Sequence, residues 1–316
     1  MSPFKFDGTE LKIAKAVAQK DGIMVSKLGQ ILGLHPSQVS KAINSLAEKR
    51  VLSISKLGLS KKVRFSDTKH AEFLRRLMVE LSPLNPEKIL TSSYLEVLAC
   101  LSFRNADTND MLSETGLAAR TVRPILKELR QRGMVFKDKE DGTYHISGRF
   151  SSIKEFVMEF RRYCNQKEAS ELYTDVIVIW EQNREYIIRS SEEKDAEGFL
   201  LTGISSFHKY GIHLFVPNIY YYFYSPRKEV LRLEDIIIHV FLTEDTKPRI
   251  MLAILLLWKK NEISIDVNYL NLVSNRYSKL DIVRKIERYF NTEGEERPEG
   301  FPKWDEFLSK AKEYGL

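Results

Sequence analysis

One pattern constrains the fold of this 316-residue chain more than any other: a run of elements written twice, 83 residues apart. Gly33-Leu34 opens a stretch with apolar Val39, Ile43 and Leu46 at helical spacing. Gly116-Leu117 opens another with Val122, Leu126 and Leu129. Around these anchors Leu28 aligns with Met111, Leu52 with Val135, Val63 with Ile146, Phe73 with Phe156 and Leu77 with Phe160. Agreement at several independent positions carries more weight than any single motif, because each match can fail separately. The first helices align best at an offset of 84, pairing Leu11 with Leu95 and Val17 with Leu101.

Each copy has its own order. In the first, Thr9 caps a helix whose stripe is Leu11, Ala14, Val17 and Ala18, and Asp21-Gly22 breaks it. Ser26 caps a second helix that ends at Gly33. A third helix follows with Pro36 in its first turn, where a missing N–H costs nothing. Two β-like runs, Val51 to Ser55 and Lys62 to Ser66, flank the turn Lys56-Leu57-Gly58-Leu59-Ser60-Lys61. A trailing helix from Asp67 carries Phe73, Leu74, Leu77, Met78 and Leu81 until Pro83 and Pro86 mark a boundary. The second copy repeats this order, with Pro124 expected to shorten or kink its third helix.

A short polar helix entered through a glycine turn and followed by a basic hairpin is the order of a winged helix-turn-helix. B-DNA's major groove, about 12 Å wide, admits one α-helix. In the first copy Ser37, Gln38, Ser40, Lys41 and Asn44 are the candidate base readers, with Gln and Asn suited to adenine. Lys56, Lys61, Lys62 and Arg64 on the hairpin are the candidate phosphate contacts. In the second copy Arg120, Thr121, Arg123 and Lys127 occupy the helix, and the hairpin Lys137-Asp138-Lys139-Glu140-Asp141-Gly142-Thr143 is charge-balanced. The trailing helices, with Phe73, Leu74, Leu77, Phe156, Val157, Phe160 and Tyr163, either cover their own units or pair two copies in a homodimer.

Charge falls unevenly along the chain. Residues 1–170 hold 29 Lys and Arg against 19 Asp and Glu, a net of +10, and residues 171–316 hold 20 against 24, a net of −4. The basic surplus therefore sits with the repeat, as contact with a polyanion requires. Cys100 and Cys164 are too few for a disulfide framework and read as small buried residues. No signal-peptide core precedes the first helix, and the apolar run Ile250 to Trp258 is far short of the roughly 20 residues of a membrane span. The expectation is a cytoplasmic protein with no membrane partner.

After Ser170 the character changes to that of an α+β domain. Val176–Trp180 and Glu185–Arg189 read as a hairpin, Ile212–Val216 and Ile219–Tyr224 as strands, and Thr202–Gly211 as a short helix. Four helices are expected over 234–241, 248–259, 266–274 and 279–290, then an acidic loop over 291–300 and a last helix over 303–314. Asp235 and His239 stand four apart, a spacing that can hold a metal. With no third ligand nearby, a helix-capping carboxylate and a packed histidine are the plainer reading. His208 and His213 lack an acidic or cysteine partner. The run Tyr220-Tyr221-Tyr222-Phe223-Tyr224 can stack bases, although strand spacing makes it core on one face and surface on the other. No phosphate-cradling GxxxxGK[ST], no GxSxG nucleophile turn and no paired-Asp nucleotidyltransferase signature occurs. No catalytic residue, metal or cofactor is expected.

Residues 9–66 and 92–146 resemble winged helix-turn-helix regulators of the broad multiple-antibiotic-resistance type. The resemblance rests on Ser26–Leu32, Gly33-Leu34, the Val39/Ile43/Leu46 helix and Lys49-Arg50-Val51-Leu52. It implies double-stranded DNA as partner. The C-terminal half resembles the antitoxin of the abortive-infection type IV toxin–antitoxin systems through Leu200-Leu201-Thr202-Gly203, Tyr210-Gly211 and Leu231-Arg232-Leu233-Glu234-Asp235. That likeness implies operon repression and a nucleotidyltransferase toxin partner, although two winged helices stand here in place of one. Uncharacterised archaeal regulators share the domain order.

The sequence thus reads as a mainly α protein with α+β character. Two tandem winged helix-turn-helix units, 1–83 and 84–170, each with a trailing helix, precede an α+β domain at 171–316. The function expected is that of a DNA-binding transcriptional regulator, reading the groove with the helix near 36–48 and phosphates with the wing near 56–64. Its C-terminal domain would take a protein partner or a small effector. The alternatives are an antitoxin, or an enzyme in the C-terminal half tethered to nucleic acid.

Overall fold

The computed structural model describes residues 4–20, 22–57, 60–214, 218–243 and 247–316. Contacts gather the chain into two units, Met1–Asn165 and Gln166–Leu316. It is mainly helical with antiparallel sheets, an α+β protein.

The first unit opens with α1 (Gly8–Ala18), which is capped by Asp7 and not by Thr9. The Asp7 carboxylate accepts from the Glu10 amide, and the Glu10 carboxylate accepts from the Asp7 amide, both at 2.8 Å. Then come β1 (Ile23–Met24), α2 (Val25–Leu32), α3 (Pro36–Glu48), the hairpin strands β2 (Leu52–Leu57) and β3 (Ser60–Phe65), and α4 (Lys69–Glu80). After α5 (Pro86–Ile89) the order recurs as α6 (Ser92–Phe103), α7 (Thr108–Thr115), α8 (Ala119–Gln131), β4 (Val135–Lys137), β5 (Tyr144–Ile146) and α9 (Ser151–Leu172). The expected Ser26 cap is replaced by an uncapped start at Val25. Asp21, Gly58 and Leu59, where a break and a turn tip were expected, lie outside the described residues.

The repetition extends to backbone conformation. Gly33 and Gly116 end α2 and α7 with φ of +63° and +69°, the left-handed region that a side chain resists. Two residues past the ends of α3 and α8, Arg50 and Gly133 also have positive φ, and the Val51 and Met134 amides donate to Leu46 and Leu129 at 2.9 Å. The hairpins differ. Leu52 pairs with Phe65 and Val135 with Ile146, so Ile146 stands where Phe65 does, and not where Val63 does. The pairing of Ile23 with Val63 is answered by that of Ala106 with Tyr144, which gives the same correspondence. The second hairpin is thus two residues shorter, and a 3-10 turn at Gly148–Phe150 precedes α9. A slip of two keeps every side chain on its own face, so apolar spacing alone cannot detect it.

A single apolar core runs from Phe4 to Cys164. Phe4 and Phe6 stack on Phe160 with ring centroids 5.2 and 4.9 Å away, and Phe156 lies parallel to Phe160 at 5.7 Å. Leu74, Leu77, Phe156, Val157 and Phe160 are wholly buried within this one copy. Of the seven residues weighed for covering their own units or pairing two copies, these five lie inside this core, and Phe73 and Tyr163 are half-buried against it. Pro124 does not interrupt α8, which runs unbroken through it.

The second unit is built on a four-stranded antiparallel sheet in the order β6 (Val176–Gln182), β7 (Glu185–Ser190), β9 (Tyr220–Tyr224) and β8 (Phe199–Thr202). A 3-10 helix, Gly203–Tyr210, links β8 to the segment before β9. Ile212–Leu214 forms no strand, and Phe215–Pro217 lie outside the described residues. Helices α10 (Leu233–Thr243), α11 (Pro248–Lys260), α12 (Val267–Arg276), α13 (Leu280–Asn291) and α14 (Trp304–Glu313) complete it. β9 is central and buried on both faces. Tyr221 and Phe223 join the helical core, while Tyr222 packs with Tyr173, Tyr186 and Phe199 on the other side. The face expected at the surface is covered by these aromatic rings. No described helix is long and apolar enough to cross a membrane.

Candidate functional site

Helix α3 is capped by His35, whose ring Nδ1 accepts from the Ser37 amide at 3.4 Å. The Gln38 side-chain oxygen accepts from the His35 amide at 3.2 Å, completing a reciprocal cap. Val39, Ala42, Ile43 and Leu46 are buried, and Ser37, Gln38, Ser40, Lys41 and Asn44 are all exposed. At about 100° per residue, Ser37, Ser40, Lys41 and Asn44 share one outward arc opposite the buried stripe. Gln38 sits on its flank. The structure brings four of the five expected readers together; the fifth, Gln38, is occupied in capping, and the Ser37 hydroxyl lies 2.8 Å from His35 Nδ1 within the same cap.

On the hairpin the four expected cations divide between faces. Lys56 pairs with Lys61 across the strands, whereas Lys62 and Arg64 alternate onto the opposite face. Lys62 is half-buried, laid over Gly22 where any Cβ would meet it. Arg64 donates to Ser53 Oγ at 3.3 Å and lies 3.8 Å from Asp67. Lys56 and Lys61 are exposed, and among the described residues neither makes an ion pair.

In α8, Arg120, Arg123 and Lys127 are exposed and Thr121 is half-buried. Arg132, next to this helix, is committed elsewhere: it bridges to Glu128 at 2.7 Å and donates to the Leu84 carbonyl at 2.7 Å. Glu128 also accepts from Lys88 at 2.7 Å and from the Tyr94 hydroxyl. Lys88 first, then Tyr94, hold the Glu128 carboxyl down at about 2, and burial with Glu128 pushes the Tyr94 phenol up to about 12. In the first copy the corresponding tie is Glu10 with Lys49, 2.5 Å apart and both buried, with the ammonium 4.9 Å from the Phe6 ring centre. Lys49, part of the signature Lys49-Arg50-Val51-Leu52, is thus an internal support for α3.

Three carboxylates of the second unit are buried among the described residues, Glu185, Glu234 and Asp235. Glu234 accepts from the Asp266 amide at 2.7 Å and lies 3.4 Å from the Arg232 guanidinium. Glu185, at the start of β7, accepts from Ser225 at 2.9 Å, Arg227 at 2.8 Å, Arg276 at 2.7 Å and Tyr277 at 3.2 Å. Asp235, in the first turn of α10, accepts from the Arg232 amide at 3.0 Å, the Tyr269 hydroxyl at 3.0 Å and the Lys228 ammonium. Asp235 thus has the helix-capping role that the spacing suggested. One turn on, His239 is wholly buried, its Nδ1 is 2.8 Å from Thr202 Oγ1, and Nε2 has no partner among the described residues. Burial pushes its pKa down to about 3, so the ring is neutral.

These ties fix the segment after β9. Together with the start of β8 it bounds an open cleft of about 610 Å³, lined by Glu197, Leu200, Tyr224, Ser225, Arg227 and Lys228 among others. That volume lies within the roughly 300–1,000 Å³ of small-molecule clefts. Residues 196–316 match the family model described as HVO_2833_C, C-terminal. No curated protein and no solved structure matches the chain. The matched segment contains the cleft and the Asp235 cluster, while Glu185 lies ahead of it. Sequence reading singled out Asp235 and His239 but missed Glu185, Arg227 and Lys228. The available signal was an acid directly ahead of the run Tyr186-Ile187-Ile188, which needs the fold to find its partners.

Proposed function

We propose that this chain is a double-stranded DNA-binding transcriptional regulator whose first unit consists of two tandem winged helix-turn-helix modules. The observation that carries the reading is α3: an outward arc of Ser37, Ser40, Lys41 and Asn44, entered through a left-handed glycine turn. Beside it in sequence stands a hairpin bearing Lys56 and Lys61. Short hydrogen-bonding side chains on an exposed helix are suited to base edges, and cations on a hairpin to phosphate. The net of +10 on residues 1–170 supports the same partner. The second unit is assigned partner or effector binding at its cleft, without catalysis, since its three buried carboxylates among the described residues are each engaged. Glu185 and Asp235 are engaged by cationic and hydroxyl donors, and Glu234 by the Asp266 amide and Arg232.

Selection of duplexes from a random-sequence pool by the full-length protein tests the reading. A recurrent short motif is expected, and Asn44→Ala should relax it at a single position. Recovery of unenriched sequence after repeated rounds would contradict it.

A further inference from the structure

This inference rests on the proposed function and divides it between the two copies. Matching α3 to α8 at the 83-residue offset sets Arg120 opposite Ser37, Arg123 opposite Ser40, Lys127 opposite Asn44 and Arg130 opposite Ala47. The three uncharged members of the α3 arc, Ser37, Ser40 and Asn44, and half-buried Ala47 beside it each give way to a permanent cation on α8. Lys41 is answered by Pro124 and Gln38 by Thr121. All four cations are exposed, and none forms an ion pair among the described residues. At about 100° per residue they fall within an arc of roughly 80°, beside the buried stripe of Val122, Ile125, Leu126 and Leu129. The acid of this helix, Glu128, projects to the other flank and is consumed by Lys88, Tyr94 and Arg132.

From Arg120 to Arg130 the stripe runs about 15 Å at 1.5 Å per residue. One strand of B-DNA presents a phosphate every ~3.4 Å of axis, so this line of charge matches several successive phosphates. A reader of adenine or thymine would need amide, hydroxyl or small apolar groups on the same arc, and α8 presents none there. The adjoining hairpin cannot supply the backbone grip: it is two residues shorter, and Lys137 and Lys139 are offset by Asp138, Glu140 and Asp141.

We propose that α8 is a phosphate-gripping helix that supplies sequence-independent affinity, while α3 supplies sequence discrimination. The two copies have thus exchanged where their cations sit. The first carries Lys56 and Lys61 on the hairpin and only Lys41 on the outward arc of its helix, and the second carries four cations on the helix.

The test compares full-length wild type, R120A/R123A/K127A, R120K/R123K and S40A/N44A on two duplexes across a salt series. One duplex is that recovered by selection with wild type, and the other is a scrambled sequence of equal length. Thermal melting first checks that the exposed-site variants remain folded. The triple alanine variant should lose affinity equally on both duplexes. Its salt slope should flatten by about 0.9 per lost contact, which makes the wild-type decline between 50 and 200 mM salt ~40-fold the larger. R120K/R123K should keep slope and preference, because a phosphate accepts either cation, whereas bidentate guanine recognition requires Arg. S40A/N44A should lose preference at an unchanged slope. A loss of preference in R120K/R123K would overturn the proposal in favour of guanine reading, and an unchanged triple variant would remove α8 from the DNA. Failure of wild type itself to bind any duplex would instead sink the underlying functional reading.

Discussion

Gln38 and Asn44 look alike as sequence, two amides on one polar helix, but the structure separates them. Gln38 caps the start of α3 through its contact with the His35 amide, whereas Asn44 points outward from mid-helix. Gln38→Ala should therefore cost about 0.5–1 kcal/mol of stability with base preference unchanged. Asn44→Ala should leave stability alone and cost roughly 1–3 kcal/mol at one base position. Denaturant titration and binding to single-base variants of the selected site separate the two, and a preference change in Gln38→Ala would refute the assignment. Lys49 is a second residue whose role is invisible in sequence. Its pairing with Glu10 joins positions 39 apart, both buried. Lys49→Met alone should destabilise the first unit by about 3–5 kcal/mol by stranding Glu10, and adding Glu10→Gln should recover most of that. Equal losses in the single and double variants would show that the charge is not what matters.

At the level of elements, the hairpin and the C-terminal sheet carry the tests. Lys56 and Lys61 share one face and Lys62 is laid across Gly22. Replacing Lys56 and Lys61 by Ala should flatten the salt slope by about 0.9 each, while Lys62→Ala should change it less. Equal effects from all three would mean that the face division has no bearing on binding. In α10, His239 stays neutral in the folded chain down to about pH 3, whereas an unfolded histidine takes its proton near 6.5. Its contribution is complete above about pH 6.5 and declines as pH falls toward 3, by on the order of 1 kcal/mol per unit. Trp180, Trp258 and Trp304 all lie in the second unit, so tryptophan fluorescence in urea follows it separately from the first, where buried His70 also titrates low. The midpoint should drop between pH 7 and 5 in wild type and much less in His239→Leu. An equal drop in both would assign the pH dependence to other groups.

Element order proved legible where local chemistry decides it. Left-handed glycines at Gly33 and Gly116, and apolar stripes at helical spacing, mark α2, α3, α7 and α8 without reference to anything distant. What sequence could not give depends on packing across the chain. Phe4 and Phe6 belong to the core only because α9 brings Phe160 to them, 154 positions beyond Phe6. The two-residue hairpin difference hides because the strand period is two. Ile212–Leu214 has strand composition but no strand to join, and Phe199–Thr202 becomes one because β9 lies beside it. The site followed the same rule. Exposed positions on α3 and α8 were readable from periodicity, whereas Glu185 required the partners that the fold supplies.

For the whole molecule the central asymmetry is electrostatic. Moving the boundary from 170/171 to the structural 165/166 transfers one Lys and one Glu, so the units keep nets of +10 and −4. Opposite signs on one chain direct a polyanion to the first unit and away from the second. The measurement that tests this most directly is the anisotropy of a labelled random-sequence duplex titrated with the full-length protein over a salt series. The account predicts binding that weakens linearly in log affinity against log salt, with a slope corresponding to several phosphate contacts. The absence of binding at low salt, or an affinity indifferent to salt, would contradict it.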